Sequence, residues 1–224
     1  MQSLFLESKF IGDISKWNVC NVENMSYMFL GSKFNNDISE WNVGKVKNMT
    51  CMFCNSNFNQ DIDSWNVSSV TNMSSMFQKA KEFNQDIASW NVSSVTNMEE
   101  MFRGTSVFNG NISKWNVCNV TNMKAMFSSS VFNKDISNWN VSNVVCMHGM
   151  FANSQFNRNI SKWDVSNLNN MGWMFCLSQF NQDISNWNVS NVKNMDNMFG
   201  ESQFNGDISK WNVSNVENME KMFA

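Results

Sequence analysis

Apolar residues in this chain fall in a fixed order that returns every 24 or 25 residues. Over 180–199 the order is Phe180, Ile184, Trp187, Val189, Val192, Met195, Met198 and Phe199, with mostly polar residues between them. Nine tryptophans keep the register: Trp17, Trp41, Trp65, Trp90, Trp115, Trp139, Trp163, Trp187 and Trp211, while Trp173 falls outside it. Repetition at such a period marks a chain whose units bury apolar faces against one another.

Two periodicities alternate inside each unit. Trp-Asn-Val places apolar, polar and apolar residues in turn, which predicts a short strand. From the second Val onward the apolar positions are i, i+3, i+6 and i+7, as in Val192, Met195, Met198 and Phe199, and this spacing predicts one face of a short helix. Asn21, Ser69, Ser94, Asn119, Asn143, Asn167, Asn191 and Asn215 stand where its N-cap would be, with Lys45 as the exception. Phe-Asn-x-Asp-Ile then leads through Asx-favouring residues to the next strand. The two longer units carry their extra residue between Phe77 and Phe83 and between Phe102 and Phe108, which places a loop there. The expected fold is an α/β solenoid: a right-handed, leucine-rich-repeat-like coil of about nine strand–turn–short helix units with one parallel sheet, forming a single repeat domain over 1–224.

Met1, Leu4, Phe5 and Phe10 are in phase with Met25, Met28, Phe29 and Phe34, and the chain closes on Met222-Phe223-Ala224 in the same phase. Both ends therefore read as uncapped, as in a segment of a longer array or a chain that associates end to end.

Ile136-x-x-Trp139-x-Val141 resembles the L-x-x-L-x-L strand of leucine-rich repeats, although a Val such as Val144 replaces the Asn that usually follows. The whole unit F-N-x-D-I-S-x-W-N-V-S-N-V-x-N-M-x-x-M-F more closely resembles the repeat of BspA-like leucine-rich-repeat surface proteins. That repeat is found in mycoplasma lipoproteins and other bacterial surface proteins, and in some protist and large-virus genomes. The resemblance implies a surface-displayed, non-enzymatic scaffold for adhesion or protein interaction. It carries no named ligand and no transferable site residue.

Composition narrows the function classes. A net charge of −3 supplies no basic field for nucleic acid. No apolar run approaches the ~20 residues that span a bilayer, and Met1-Gln-Ser-Leu-Phe-Leu-Glu7 lacks the features of a secretory signal. The six cysteines, Cys20, Cys51, Cys54, Cys118, Cys146 and Cys176, form no complete metal-ligand set, and the stacking distance between Cys20 and Cys118 is too long for a disulfide. Unpaired cysteines fit an intracellular setting, whereas the resemblance implies a cell surface. His148, the single histidine, has no partnered nucleophile, so no catalytic set is formed. The paired methionines read as core filling rather than as a haem or copper box. Asp13, Asp37, Asp61, Asp86, Asp135, Asp183 and Asp207, with Asn111 and Asn159 in the other two units, read as turn residues rather than as a calcium ladder. No cofactor and no metal is expected.

Binding is sought on the outward residues beside each tryptophan. These are Lys16, Asn18, Glu40, Asn42, Asn66, Asn91, Lys114, Asn116, Asn140, Lys162, Asp164, Asn188, Lys210 and Asn212, a polar, nearly uniform face suited to multivalent contact. The expected function is an interaction or adhesion scaffold with an unidentified protein or host-surface ligand. The alternatives are an intracellular interaction repeat of viral or protist type and a structural element that self-associates end to end.

Overall fold

A computed structural model describes residues 1–224. The units stack in sequence order, and the columns of equivalent apolar residues run through the interior and surface only at the two ends, where Phe10, Trp17, Val213, Met219 and Phe223 are exposed. Phe29 stacks on Phe53 with ring centroids 5.6 Å apart, and Phe127 on Phe151 at 5.9 Å. One core of 65 buried residues results, built from the Ile, Trp, Val, Met and Phe columns. Burying such area is the main stabilising term, on the order of 1.5–3 kcal/mol for each large side chain.

The secondary structure differs from expectation. The α/β solenoid with short helices and a parallel sheet is not the architecture found: there is no helix, and extended pairing is limited to isolated parallel bridges such as Asn24 with Asn48 and Asn48 with Asn72.

In place of the helix stands a run of overlapping turns. Met28, Leu30 and Ser32 donate their N–H groups to the carbonyls of Met25, Tyr27 and Phe29. The alternate N–H groups, of Met25, Tyr27, Phe29 and Gly31, point along the stack to Asn48, Thr50, Met52 and Cys54 at 2.8–2.9 Å. A helix would return each N–H to the carbonyl four residues back; here half the donors are given to the next unit. The conformation also needs a left-handed residue at two places per unit, such as Tyr27 at φ 59° and Gly31 at φ 66°. Turns of type II require φ > 0 at their third residue, which an α-helix cannot contain. Spacing of i and i+3 is common to both structures, so the apolar pattern alone did not separate them.

The expected strand is lost for a related reason. Trp41 N–H is taken by Ile38 O and Val46 N–H by Val43 O, while Asn42 Oδ1 accepts from Gly44 N–H, so this arm spends its donors within the unit. Only Lys47 and Asn48 N–H reach back to the preceding unit, at Glu23 O. The inter-unit bond of this arm is made by a side chain: indole Nε1 of Trp41 donates to Ile14 O, and the same bond recurs down to Trp211 and Ile184 at 3.0–3.2 Å.

The expected N-cap residues cap nothing. Instead Asn119, Asn143, Asn167, Asn191 and Asn215 donate Nδ2 to a backbone carbonyl of the preceding unit, and Ser69 and Ser94 do so through Oγ. On the return arm, Asn59, Asn84, Asn109 and their successors each donate a backbone N–H to the Asn side chain one unit earlier, at 2.8–3.2 Å.

Candidate interaction face

Three columns of Asn or Asp fold back on their own backbone in Asx turns, and they decide where the polar surface lies. Asp37 Oδ1 accepts from Ser39 N–H at 2.8 Å, Asn42 Oδ1 from Gly44 N–H at 3.2 Å, and Asn48 Oδ1 from Thr50 N–H at 2.9 Å. The second column borders the tryptophan and belongs to the expected binding face.

All fourteen expected face residues are exposed: Lys16, Asn18, Glu40, Asn42, Asn66, Asn91, Lys114, Asn116, Asn140, Lys162, Asp164, Asn188, Lys210 and Asn212. They form two adjacent files, one on each side of the tryptophan column, with equivalents from consecutive units side by side. Each Asn oxygen of the file that follows the tryptophans, the inner file, is committed to the N–H two residues on, as in Asn116 to Cys118 and Asn140 to Ser142, so the amide NH₂ groups are the part available to a partner. Asp164 makes the same turn, and its bonds from Ser166, hydroxyl first and N–H second, hold its carboxyl below the usual range.

The Asp column before each Ile is a turn column. Asp13, Asp37, Asp135, Asp183 and Asp207 all lie below the ordinary carboxylate range, chiefly because each accepts the backbone N–H of the Ser two residues on. Asn111 and Asn159 make the same bond without a charge.

The remaining candidates are placed as follows. All six cysteines are free thiols. Cys51 and Cys54 lie on the overlapping turns, not on a helix, and Cys51 has φ 53°. The two thiols act on each other in opposite directions, the neighbouring Cys54 lowering Cys51 while the same contact, with burial, pushes Cys54 up; Cys54 Sγ donates to Gln78 Oε1 at 3.3 Å. His148 also lies on the turns rather than on a helix.

Two features were missed from the sequence. The first is a cavity of about 590 Å³ lined only by polar groups: Asp135 and Ser137 from one arm, Asn157, Arg158, Asn159 and Lys162 from the next, and Gln182 from the third. The signal was present, since Asn159 breaks the Asp column and Arg158 is one of only two arginines. The second is a patch on the turn side, where the out-of-register Trp173 donates Nε1 to Asp196 Oδ2 at 2.7 Å. There His148 Nδ1 and Asp196 Oδ1 are buried without partners, both beside Gly172.

The profile of a family described as "Mycoplasma protein of unknown function, DUF285" matches residues 1–86, 33–134, 54–155 and 129–224. The chain belongs to the DUF285 family. The four overlapping matches together span its whole length, as a repeat placed in several registers would. No curated protein and no solved structure matches this DUF285 chain.

Proposed function

We propose that this repeat chain is a non-enzymatic scaffold that binds a protein or host-surface partner through the two polar files beside its tryptophan column. The observation that carries this reading is the regularity of the face: fourteen exposed residues, with the inner file presenting one amide NH₂ or carboxylate per unit at a constant step. A repeated donor at a fixed spacing suits a repetitive or extended partner, in which each contact is weak and avidity supplies the affinity. The adhesive part of the reading comes from the likeness of the repeat to BspA-like surface proteins.

The test is a comparison of coated beads. Beads carrying the chain should adhere to host-cell surfaces above bare beads. A variant with Asn66, Asn91, Asn116 and Asn140 each changed to Asp should lose most of that adhesion, because four donors become acceptors while the Asx turns persist. A variant altered on the turn side, Ser129→Lys, should keep it. Equal adhesion by the face variant and the unaltered chain defeats the proposal.

A further inference from the structure

The Asp column and the residue three further on form a charge pattern with two interruptions. In the first and last units Asp13 is followed by Lys16 and Asp207 by Lys210, so each lysine has a carboxylate in its own turn. At Asn111 with Lys114 and at Asn159 with Lys162 the carboxylate is replaced by an amide and the lysine is left without it. The position just before the Asp column holds Gly110 in the first of these units and Arg158 in the second. Only around Asn159, therefore, do two cations meet where the repeat has removed a negative charge.

The geometry makes this a site rather than a tally of charges. Arg158 is pinned by its own Nε, which donates to Asn133 O at 2.9 Å; the two terminal NH₂ groups of the guanidinium make no hydrogen bond, and the side chain lines the cavity, where its charge helps to lower Asp135. Arg158 and Lys162, like Lys16, Lys114 and Lys210, have no carboxylate oxygen within 4.0 Å, whereas Lys47, Arg103, Lys124, Lys193 and Lys221 are paired; what sets the first two apart is that they share one cavity. Both cations line the same 590 Å³ cavity, with two amides from Asn157 and Asn159 and a third from Gln182, and with no apolar residue. One carboxylate, Asp135, stands on the far arm with its Oδ1 committed to Ser137 N–H, so two cations face one anion across the cavity.

We propose that this cavity is a binding site for a tetrahedral oxyanion, a phosphate or sulfate group, held by the outward edge of the Arg158 guanidinium and by the Lys162 ammonium. A fixed guanidinium edge offers two parallel donors to two oxygens of such a group, and a lysine adds a point charge. The amides complete a donor set that an apolar ligand could not use. The site shares Lys162 with the tryptophan-side face but stands on the cavity and its cations, and the substitutions that test it, at Arg158 and Asn159, leave the face residues unaltered.

The repeat itself supplies the test variants. Asn159→Asp restores the carboxylate that seven other units carry, in a turn that accepts either residue, and Arg158→Gln installs the side chain found one unit later at Gln182. Both should fold as the unaltered chain does. Inorganic phosphate and inorganic sulfate are titrated at constant ionic strength while the backbone amide resonance of residue 159 is followed in all three chains and the Arg158 Nε–H where Arg158 is kept. Saturable shifts are expected at these positions and not at Asn111 and Lys114, with affinity falling about tenfold in either variant, as one added or lost charge at contact distance implies. A sulfated disaccharide and its uncharged parent form the second arm. Tighter binding of the sulfated sugar, with none of the parent, identifies an oxyanion borne on a larger ligand, and equal binding of sulfate and sulfated sugar identifies a free ion. Absence of saturation, shifts spread evenly over all lysines, or unchanged affinity in Asn159→Asp overturns the proposal.

Discussion

The turn arm, Met25–Ser32 and its equivalents, and the tryptophan arm, Ile38–Val46 and its equivalents, hold the same neighbours together by opposite means. The turn arm sends four backbone N–H groups per unit to the next unit and needs only Met and Phe to fill the space beneath. The tryptophan arm closes its backbone on itself and reaches the previous unit through an indole N–H and an Asn or Ser side chain. One arm is specified by the conformation of the main chain, the other by the identity of particular side chains. Substitution should therefore expose the second far more than the first.

The largest effect expected on that view is at Trp115. Its side chain is 3% exposed, and Nε1 bonds to Ile87 O at 3.0 Å. Trp115→Ala should cost roughly 3–5 kcal/mol in denaturant unfolding, from lost burial and the cavity left behind. Trp115→Phe separates the contributions: much of the apolar volume stays, and the Ile87 carbonyl loses its partner, for about 1–3 kcal/mol. A loss in Trp115→Phe as large as in Trp115→Ala would mean that the hydrogen bond, not the burial, dominates this arm.

On the turn arm, the sensitive quantity is φ. Sixteen non-glycine residues adopt positive φ, among them Ser129 at 55°, in a column where Gly31 and Gly104 already serve two units. Left-handed geometry costs an L-residue roughly 1–2 kcal/mol, set against the greater unfolded freedom of glycine. Ser129→Gly is expected to stabilise by about 0.5–1 kcal/mol, seen as a rise in Tm. Destabilisation would mean that the Ser129 side chain, which Asn153 Nδ2 contacts at 3.3 Å, contributes more than its backbone strain costs.

The same contrast explains what was legible beforehand. The inward columns could be read directly, because burial acts on side-chain type and the period fixes the face: Ile112, Trp115, Val117, Val120, Met123, Met126 and Phe127 are all buried. The outward file and the Asx turns of the Asp column were legible as well, since both depend on short polar side chains acting locally. The helix and the strand were misread because nothing in Met25-Ser26-Tyr27-Met28 announces a left-handed residue; Tyr27, Cys51 and Trp173 take that conformation where glycine would have been the signal. Their N–H groups point to a neighbouring unit, and a bond between units leaves no trace in the spacing within one. Of the oxyanion cavity only Lys162, as a residue of the outward file, and the broken Asp column at Asn159 were legible, since its shape depends on three arms meeting.

A smaller effect is expected at Asn116, which is exposed and whose Oδ1 accepts only the Cys118 N–H at 3.2 Å. Asn116→Ala should cost well under about 1 kcal/mol, because water can replace the lost acceptor. A loss comparable to that of Trp115→Ala would show that the inner file holds the stack together rather than displaying donors to a partner.

The smallest effect is confined to acid. Asp37 is held below the usual carboxylate range first by the Ser39 N–H and then by the Ser39 hydroxyl. A folded pKa below the unfolded one means that the stabilising contribution is fully present above the unfolded value of about 3.9 and is lost as pH falls through the folded value. Asp37→Asn keeps the acceptor oxygen, as Asn111 and Asn159 do, and removes the titration. Thermal melts of the two chains should coincide at pH 7 and diverge below about pH 4, where the unaltered chain loses stability that the variant retains. Divergence already at pH 7 would mean that the Asp37 charge acts through something other than its turn, and the nearest cation to implicate is Lys16.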